Sequence, residues 1–229
     1  MEQLAVSAPL ADRVYCAIRD AICDGQLPPG ERLRQDELAE RLNVSRQPVL
    51  QALLLLRNQG FVRDTGRRGV VVAELEPATI AHLYEMRSGL DGVACRAAAM
   101  RAADEAARRG PALIADGRRA VSSCDVGAMI DADMQFHAFL YDLSGNPLIA
   151  GTAALHWQHI RRAMGGFLRR YSARDAIWDE HQAMLDAIVA GDGIGAQRLA
   201  QEHADRAANK LVAAMKSERR QPRADRTNP

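Results

Sequence analysis

Acidic and histidine side chains recur in the second half of the chain at positions that should face a helical core. In the stretch DADMQFH, Asp133 and His137 are four residues apart, which places both on the same face of a helix. His181 and His203 align with apolar residues of two later helices. One carboxylate and three neutral imidazoles suit a borderline divalent metal, zinc first, with nickel, manganese or iron as alternatives.

A buried cation is predicted on a further helix. Arg87 interrupts an apolar stripe formed by Ile80, Leu83, Leu90 and Ala94. An arginine that faces a bundle interior favours a planar oxyanion, because guanidinium matches carboxylate in a two-pronged geometry. We therefore expect Arg87 and the metal to hold a small carboxylate together. The alternative is a side chain that reaches out to the rim.

The first third of the chain has the element order of a DNA-binding module. Helical and strand periodicity predict elements over 10–24, 36–42, 46–59, 61–64 and 69–75. The second and third helices are joined tightly through Asn43 and Val44, and the two strands form a hairpin. Three helices with a tight second turn, followed by a hairpin, indicate a winged helix-turn-helix.

A basic block lies on the third helix and the wing of this module. Six arginines but one acid lie between Arg41 and Arg68. The start of the second helix of such a motif reaches bases and phosphates. The residues predicted to contact DNA are Ser45, Arg46, Gln47 and Gln51 on the helix and Arg67 and Arg68 at the wing tip. Arg46 can contact guanine or phosphate, and the glutamines can pair with adenine. A solvated surface or a protein-binding module is the alternative.

Beyond Glu74 the pattern is helical throughout. The predicted helices are 79–108, 111–123, 126–143, 147–172, 174–190 and 193–216, with breaks at Gly110-Pro111, Ser144-Gly145-Asn146-Pro147 and Gly191-Asp192-Gly193. The charged, proline-containing segment 217–229 is predicted to be a disordered tail. The sequence therefore predicts a mostly α protein, with a winged helix-turn-helix at 1–75 and an all-helical bundle at 76–216.

Composition excludes several classes. The chain has 229 residues, 48% of them hydrophobic, and no apolar run approaches the roughly 20 residues that cross a bilayer. The N-terminus has no signal-peptide pattern, so a cytoplasmic protein without membrane contact is expected. The four cysteines lack metal-ligand spacing and are expected to be free thiols.

The stretch ICDGQLPPGERLRQDELAERLNVSRQPVLQALLLLRNQGFV resembles the DNA-binding domain of GntR-family bacterial transcription regulators. The shared pattern is G-x-L-x-P-G, E-L-A-x-x-L, V-S-R-x-P-V and A-L-x-x-L-x-x-x-G. The resemblance implies a homodimer on an inverted repeat of double-stranded DNA. Leu50 and Gln51 replace the usual Arg-Glu, and Asp36 stands where some relatives carry a basic residue. Arg34 is the nearby cation that we add to the predicted DNA contacts.

Residues 79–212 resemble the FCD domain, the all-helical effector domain of the FadR-like branch of that family. The motifs are L-Y-E-M-R-S-G-L-D at 83–91, D-x-x-F-H-x-x-L-x-x-x-S-G-N-P at 133–147 and E-H at 180–181. The family's metal ligands correspond to Asp133, His137, His181 and His203. Asp91 stands where the family usually has Glu. The resemblance also implies a small organic or sugar acid as effector.

The sequence is compatible with three functions. The favoured one is a repressor in which metal and carboxylate effector modulate operator binding. A regulator that senses the metal alone is the second. A metal-dependent enzyme is the third, and it is disfavoured because no residue among Asp175, Asp179 and Glu180 stands out as a general base. We therefore expect a regulator and not an enzyme.

Overall fold

The computed structural model describes residues 9–66, 69–168 and 175–220, and the chain divides into two units between Leu75 and Glu76. The mostly α fold class predicted from the sequence is confirmed, with a small antiparallel sheet confined to the first unit. No helix within the described ranges is long and apolar enough to cross a bilayer.

The first unit is a helix-turn-helix with a three-stranded wing. Its elements are α1 (Leu10–Cys23), β1 (Arg32–Leu33), α2 (Gln35–Leu42), α3 (Arg46–Asn58), β2 (Val62–Asp64) and β3 (Val70–Val72). The strand order is β1-β3-β2, with both pairs antiparallel. Strand β1 was not predicted, because two residues are too short to show an alternating pattern. Asn43 ends α2 with a φ of 50°, the left-handed conformation that asparagine tolerates and that turns the chain into α3.

The core of this unit decides which face of α3 is exposed. Helix α3 buries Val49, Ala52, Leu53 and Leu56, as the sequence predicts, and also Pro48. The first four belong to one cluster with the buried face of α1, which includes Val14, Ile18 and Ile22. Because this face is anchored by apolar burial, the polar residues at the start of α3 are held outward.

The second unit is an all-helical bundle. Its helices are α4 (Pro77–Arg101), α5 (Ala103–Ser122), α6 (Val126–Leu143), α7 (Pro147–Leu168), α8 (Asp175–Val189) and α9 (Gly193–Arg220). Helix α4 packs against α6, α7, α8 and α9, so its inward side chains lie at the centre of the unit. Phe136, Leu140, Met184, Leu185 and Ile188 form the middle of the core.

The predicted helix break at Gly110-Pro111 is wrong. The break lies at Ala102 instead, and Pro111 lies inside α5. Gly110 is a buried contact point, since a Cβ there would collide with the side chain of Leu185 on α8. Pro111 and Ala107 are both exposed, so the carbonyl that loses its helical partner lies on a face open to water.

The ends of the last helices also differ from the predicted ones. Helix α9 continues to Arg220, past the predicted end at 216. The remainder of the predicted tail, 221–229, lies outside the described residues, as does the predicted connection at 169–174.

Candidate metal centre and DNA-binding surface

Helices α6, α8 and α9 bring the four predicted metal ligands together. Asp133 and His137 project from adjacent turns of α6, His181 from α8 and His203 from α9. One ligand atom from each residue lies within 4.8 Å of the others, and all four side chains are buried. Residues spread over three helices thus converge on one point.

The donor set fits a divalent cation. Asp133 Oδ2 and both ring nitrogens of His181 are buried and have no hydrogen-bond partner among the described residues. Burial lowers the pKa of His181 well below its ordinary value, so its imidazole is neutral and has a free lone pair. Orphaned buried acceptors are costly, and a bound metal ion would satisfy Asp133 Oδ2 and the unprotonated ring nitrogen of His181.

Two carboxylates orient the histidines from outside the cluster. Glu180 Oε2 lies 2.7 Å from His203 Nδ1, and Glu180 Oε1 accepts a hydrogen bond from Arg206 at 2.8 Å. Burial raises the pKa of Glu180, but the hydrogen bonds and positive charges of His203 and Arg206 together outweigh burial, and the net shift of this pKa is downward. Asp91 Oδ2 lies 3.2 Å from His137 Nδ1. Carboxylates behind ligand imidazoles fix the ring orientation and direct the other ring nitrogen inward, where Nε2 of His137 also meets Arg87.

Arg87 lies inside the unit and does not reach the rim. Its side chain is 4% exposed, and its Nε donates to Asp91 Oδ2 at 3.1 Å. Its Nη2 lies 2.5 Å from His137 Nε2 and 3.7 Å from Asp133 Oδ2. Its guanidinium carbon lies 4.6 Å from the ring centroid of Trp157. A buried cation of this core is therefore next to the predicted metal ligands.

Sequence reasoning did not predict that Asp91, Tyr141 and Glu180 support the cluster. Tyr141 donates to Asp91 Oδ1 at 2.5 Å, which completes a network of Arg87, Asp91 and Tyr141. The spacing of Arg87 and Asp91, four residues apart on one helix, is a signal that could have identified this pair. Glu180 appeared in the sequence only as a candidate base, because its contact with His203 spans two helices.

Aromatic rings enclose the cluster. The Trp157 ring centroid lies 5.4 Å from that of His137, and the Trp178 centroid lies 4.7 Å from that of His181. The Phe136 ring stacks on His181 at 4.5 Å. Helix α5 approaches closely at this point, since a Cβ at Gly117 would collide with the Trp178 ring. On this side the wall around the ligands is therefore largely apolar.

A cavity opens beside the cluster. It holds about 480 Å³ of empty space, its open mouth included, and Arg87, Asp133 and His203 line one end. Helices α7, α8 and α9 supply the rest of its wall. A small molecule in this cavity would meet the guanidinium and the metal ligands together.

The start of α3 presents the predicted DNA-contacting side chains on an exposed surface. Ser45, Arg46, Gln47 and Gln51 are all exposed. Ser45 stands at the cap position, but its side chain makes no capping hydrogen bond. The predicted contacts Arg67 and Arg68 lie outside the described residues.

Acidic neighbours hold the arginines of this surface. Arg46 Nε lies 2.6 Å from Asp36 Oδ1, and Arg34 Nη1 donates to Glu37 Oε1 at 2.9 Å. These side chains are well exposed, so the ion pairs are weak and their partners exchangeable. The sequence did not predict the Asp36–Arg46 pair, which joins two helices.

Comparison with known proteins locates two family matches. The model of "Bacterial regulatory proteins, gntR family" matches residues 10–72, and the model of the FCD domain, a family associated with metal binding, matches residues 82–206. An uncharacterized HTH-type transcriptional regulator of Agrobacterium vitis is 34% identical over 138 residues, which cover 58% of this chain and 80% of that protein.

Other relatives and one solved structure agree with these matches. The Nta operon transcriptional regulator of Aminobacter aminovorans is 37% identical over 137 residues, 59% of this chain but only 64% of that protein. The repressor NanR of Enterobacter sp. is 27% identical over 215 residues, 85% of this chain and 82% of that protein. The structure of E. coli McbR/YncC superposes with a TM-score of 0.77 at 20% identity, covering 91% of this chain and all of that one. The fold is shared over both units.

Proposed function

Because the chain belongs to the GntR family of bacterial regulatory proteins and has an FCD domain as its second unit, we propose that it is a metal-dependent, ligand-responsive repressor. Its relatives are transcriptional regulators that bind DNA, not enzymes. The observation that carries the proposal is the buried Asp133, His137, His181 and His203 cluster beside Arg87 and an open cavity.

The first unit reads an operator in this proposal. Ser45, Arg46, Gln47 and Gln51 contact bases and phosphates in the major groove. Arg34, with Arg67 and Arg68 of the wing, contacts the DNA backbone. Since Leu50 and Gln51 replace the usual Arg-Glu of the family, the operator sequence differs from those of family members that keep Arg-Glu.

Zinc is the proposed metal, held by Asp133, His137, His181 and His203. The burial of all three imidazoles, which lowers the pKa of His181 and of His203, and the two nearby carboxylates support this choice. When bound, the metal supplies positive charge and a coordination position for an anionic oxygen. Arg87 supplies the second, two-pronged contact, so the effector is a small carboxylate.

A homodimer is proposed through one face of α4. Met86, Val93 and Met100 are 49%, 55% and 72% exposed and are spaced seven residues apart, so they form one stripe. Gly89 and Ala97 lie between them on the same stripe and are small enough for close helix contact. Exposed apolar stripes of this kind are typical of interfaces.

Charge complementarity favours a second copy as the occupant of this face. If two α4 helices pair antiparallel about Val93, Met86 lies opposite the partner's Met100, and Glu85 lies opposite the partner's Arg101. A two-fold axis makes each of these contacts twice.

Val93→Glu places two carboxylates at the axis and should convert the dimer to a monomer in sedimentation. Glu74→Lys, an exposed charge change outside α4, is the control. A dimeric Val93→Glu variant would contradict the α4 interface.

Effector binding tests the sensory half of the proposal. Zinc-loaded protein is melted with a panel of small carboxylates, before and after chelation. We expect an acid to raise the melting temperature only when zinc is present, and Arg87→Ala to lose this response while zinc stays bound. Arg87→Lys keeps the charge and serves as a second variant. If DNA binding follows zinc occupancy and no acid has an effect, the metal alone is the signal.

DNA selection tests the other half. Selection from a random duplex pool should recover an inverted repeat bound by the dimer, released on addition of the acid found by melting. An effector can act in this way only if it prefers one arrangement of the two DNA-binding units. Retention of all duplexes alike would contradict an operator-specific regulator.

A further inference from the structure

The cavity beside the metal cluster has two ends of different chemistry. The inner end carries Arg87, Asp133 and His203, and Tyr84 packs there with its ring centroid 5.4 Å from the Arg87 guanidinium carbon. These groups provide the charges that a carboxylate needs. All four side chains are buried, so they meet a ligand only through the cavity.

The body of the cavity is apolar. Its wall, beyond the inner end, is formed by Met164, Phe167, Leu168, Ile177, Ala207 and Leu211. None of these side chains offers a strong hydrogen-bond donor or acceptor. The wall comes from α7, α8 and α9, so the apolar character does not depend on one helix.

Few polar groups accompany this wall among the described lining residues. Glu180 already pairs with His203 and Arg206. Lys210 is exposed and lies toward solvent. Hydroxyl groups carried into the body of the cavity would therefore lose water without gaining partners among the described residues that line it.

We infer that the effector is a carboxylic acid with an apolar body, aliphatic or aromatic, and not a polyhydroxylated sugar acid. The inference rests on the proposed function, because the carboxylate is taken to bind at Arg87 and the metal. It adds that the remainder of the molecule is hydrocarbon and is buried against α7, α8 and α9.

Hexanoate and gluconate are the matched probes, since they have equal carbon number and differ in the hydroxyl groups. Benzoate represents the aromatic acids. In calorimetric titration of the zinc-loaded full chain, hexanoate or benzoate should bind about a hundredfold more tightly than gluconate. Tighter or equal binding of gluconate would overturn the inference and leave the proposed carboxylate site standing. If none of the three acids binds, the proposed effector site fails and the inference fails with it.

A pair of variants locates the apolar contact. Met164→Gln changes a half-buried residue of the cavity wall, and Met134→Gln makes the same change at a half-buried residue of α6 that does not line the cavity. Met164→Gln should weaken hexanoate or benzoate binding roughly three- to tenfold, with zinc content unchanged, while Met134→Gln leaves it unaltered. Equal affinities in the two variants would place the acid's body elsewhere and overturn the inference.

Discussion

Arg46 and Asp36 of the DNA-binding unit form an ion pair with side chains 74% and 65% exposed, whereas Arg87 and Asp91 of the helical unit form one with side chains 4% and 0% exposed. In water, the first pair is screened and contributes little to stability. The second pair lies where an unpaired charge is costly. The same kind of ion pair therefore leaves the arginine able to change partners in the first unit and fixes the arginine in place in the second.

The contrast separates binding from stability. A phosphate can replace Asp36 as the partner of Arg46 with little loss, so changes on this surface should alter DNA affinity alone. Asp91 also accepts a hydrogen bond from Tyr141 and lies beside His137, so loss of this carboxylate should alter the fold and the metal site together. The following experiments test this separation, from the largest expected effect to the smallest.

Asp91→Ala should lower the free energy of unfolding of the zinc-loaded protein by about 3–5 kcal/mol, because it leaves Arg87 buried without its carboxylate. Urea denaturation measures this change. The matched control, Asp36→Ala, should stay within about 0.5 kcal/mol of the wild type. Similar losses in the two variants would abolish the distinction between the pairs.

His181→Ala should lower zinc occupancy and the melting temperature together. With zinc at a hundredfold excess over its dissociation constant, the lost stabilisation is about 2.7 kcal/mol. Wild type and variant should differ less after chelation. Mass spectrometry of the native protein measures zinc content, and an unchanged content would rule out His181 as a ligand.

Arg46→Ala should weaken operator binding by about 1–3 kcal/mol if its side chain contacts a base. The free energy of unfolding should not change, because the side chain is exposed. Fluorescence anisotropy on operator and unrelated duplexes measures the effect. An equal loss on both duplexes would assign Arg46 to phosphate instead.

Asp36→Asn should strengthen DNA binding by less than about 1 kcal/mol, because it releases Arg46 from a weak exposed pair. The gain should shrink as salt rises. Glu40→Asn, another exposed acid of α2, is the control. Weaker binding by Asp36→Asn would mean that the carboxylate itself positions Arg46 for DNA.

Sequence periodicity predicted which residues face the core, and this was enough to identify the four candidate metal ligands. The i, i+4 spacing of Asp133 and His137 and the inward positions of His181 and His203 are local properties of each helix. The structure brings these four side chains together, and their role as ligands stays a prediction. The exposed residues at the start of α3 could be predicted for the same reason, because the apolar residues of its buried face are periodic.

Contacts between helices could not be predicted from such local patterns. Tyr141 meets Asp91, and Glu180 meets His203, only because α4, α6, α8 and α9 pack together. Gly110 was read as a stop because glycine and proline usually end helices, but here glycine lets α5 approach Leu185. Local signals indicate which face a residue occupies, while the partner on that face depends on packing.

The positions of the two tryptophans make the protein its own optical probe. The chain has only Trp157 and Trp178, and each ring lies beside a predicted ligand histidine. Intrinsic fluorescence excited at the red edge therefore arises entirely from the helical unit. Zinc loading and ligand entry should change its intensity, and a titration can be followed without a dye while the DNA-binding unit stays dark.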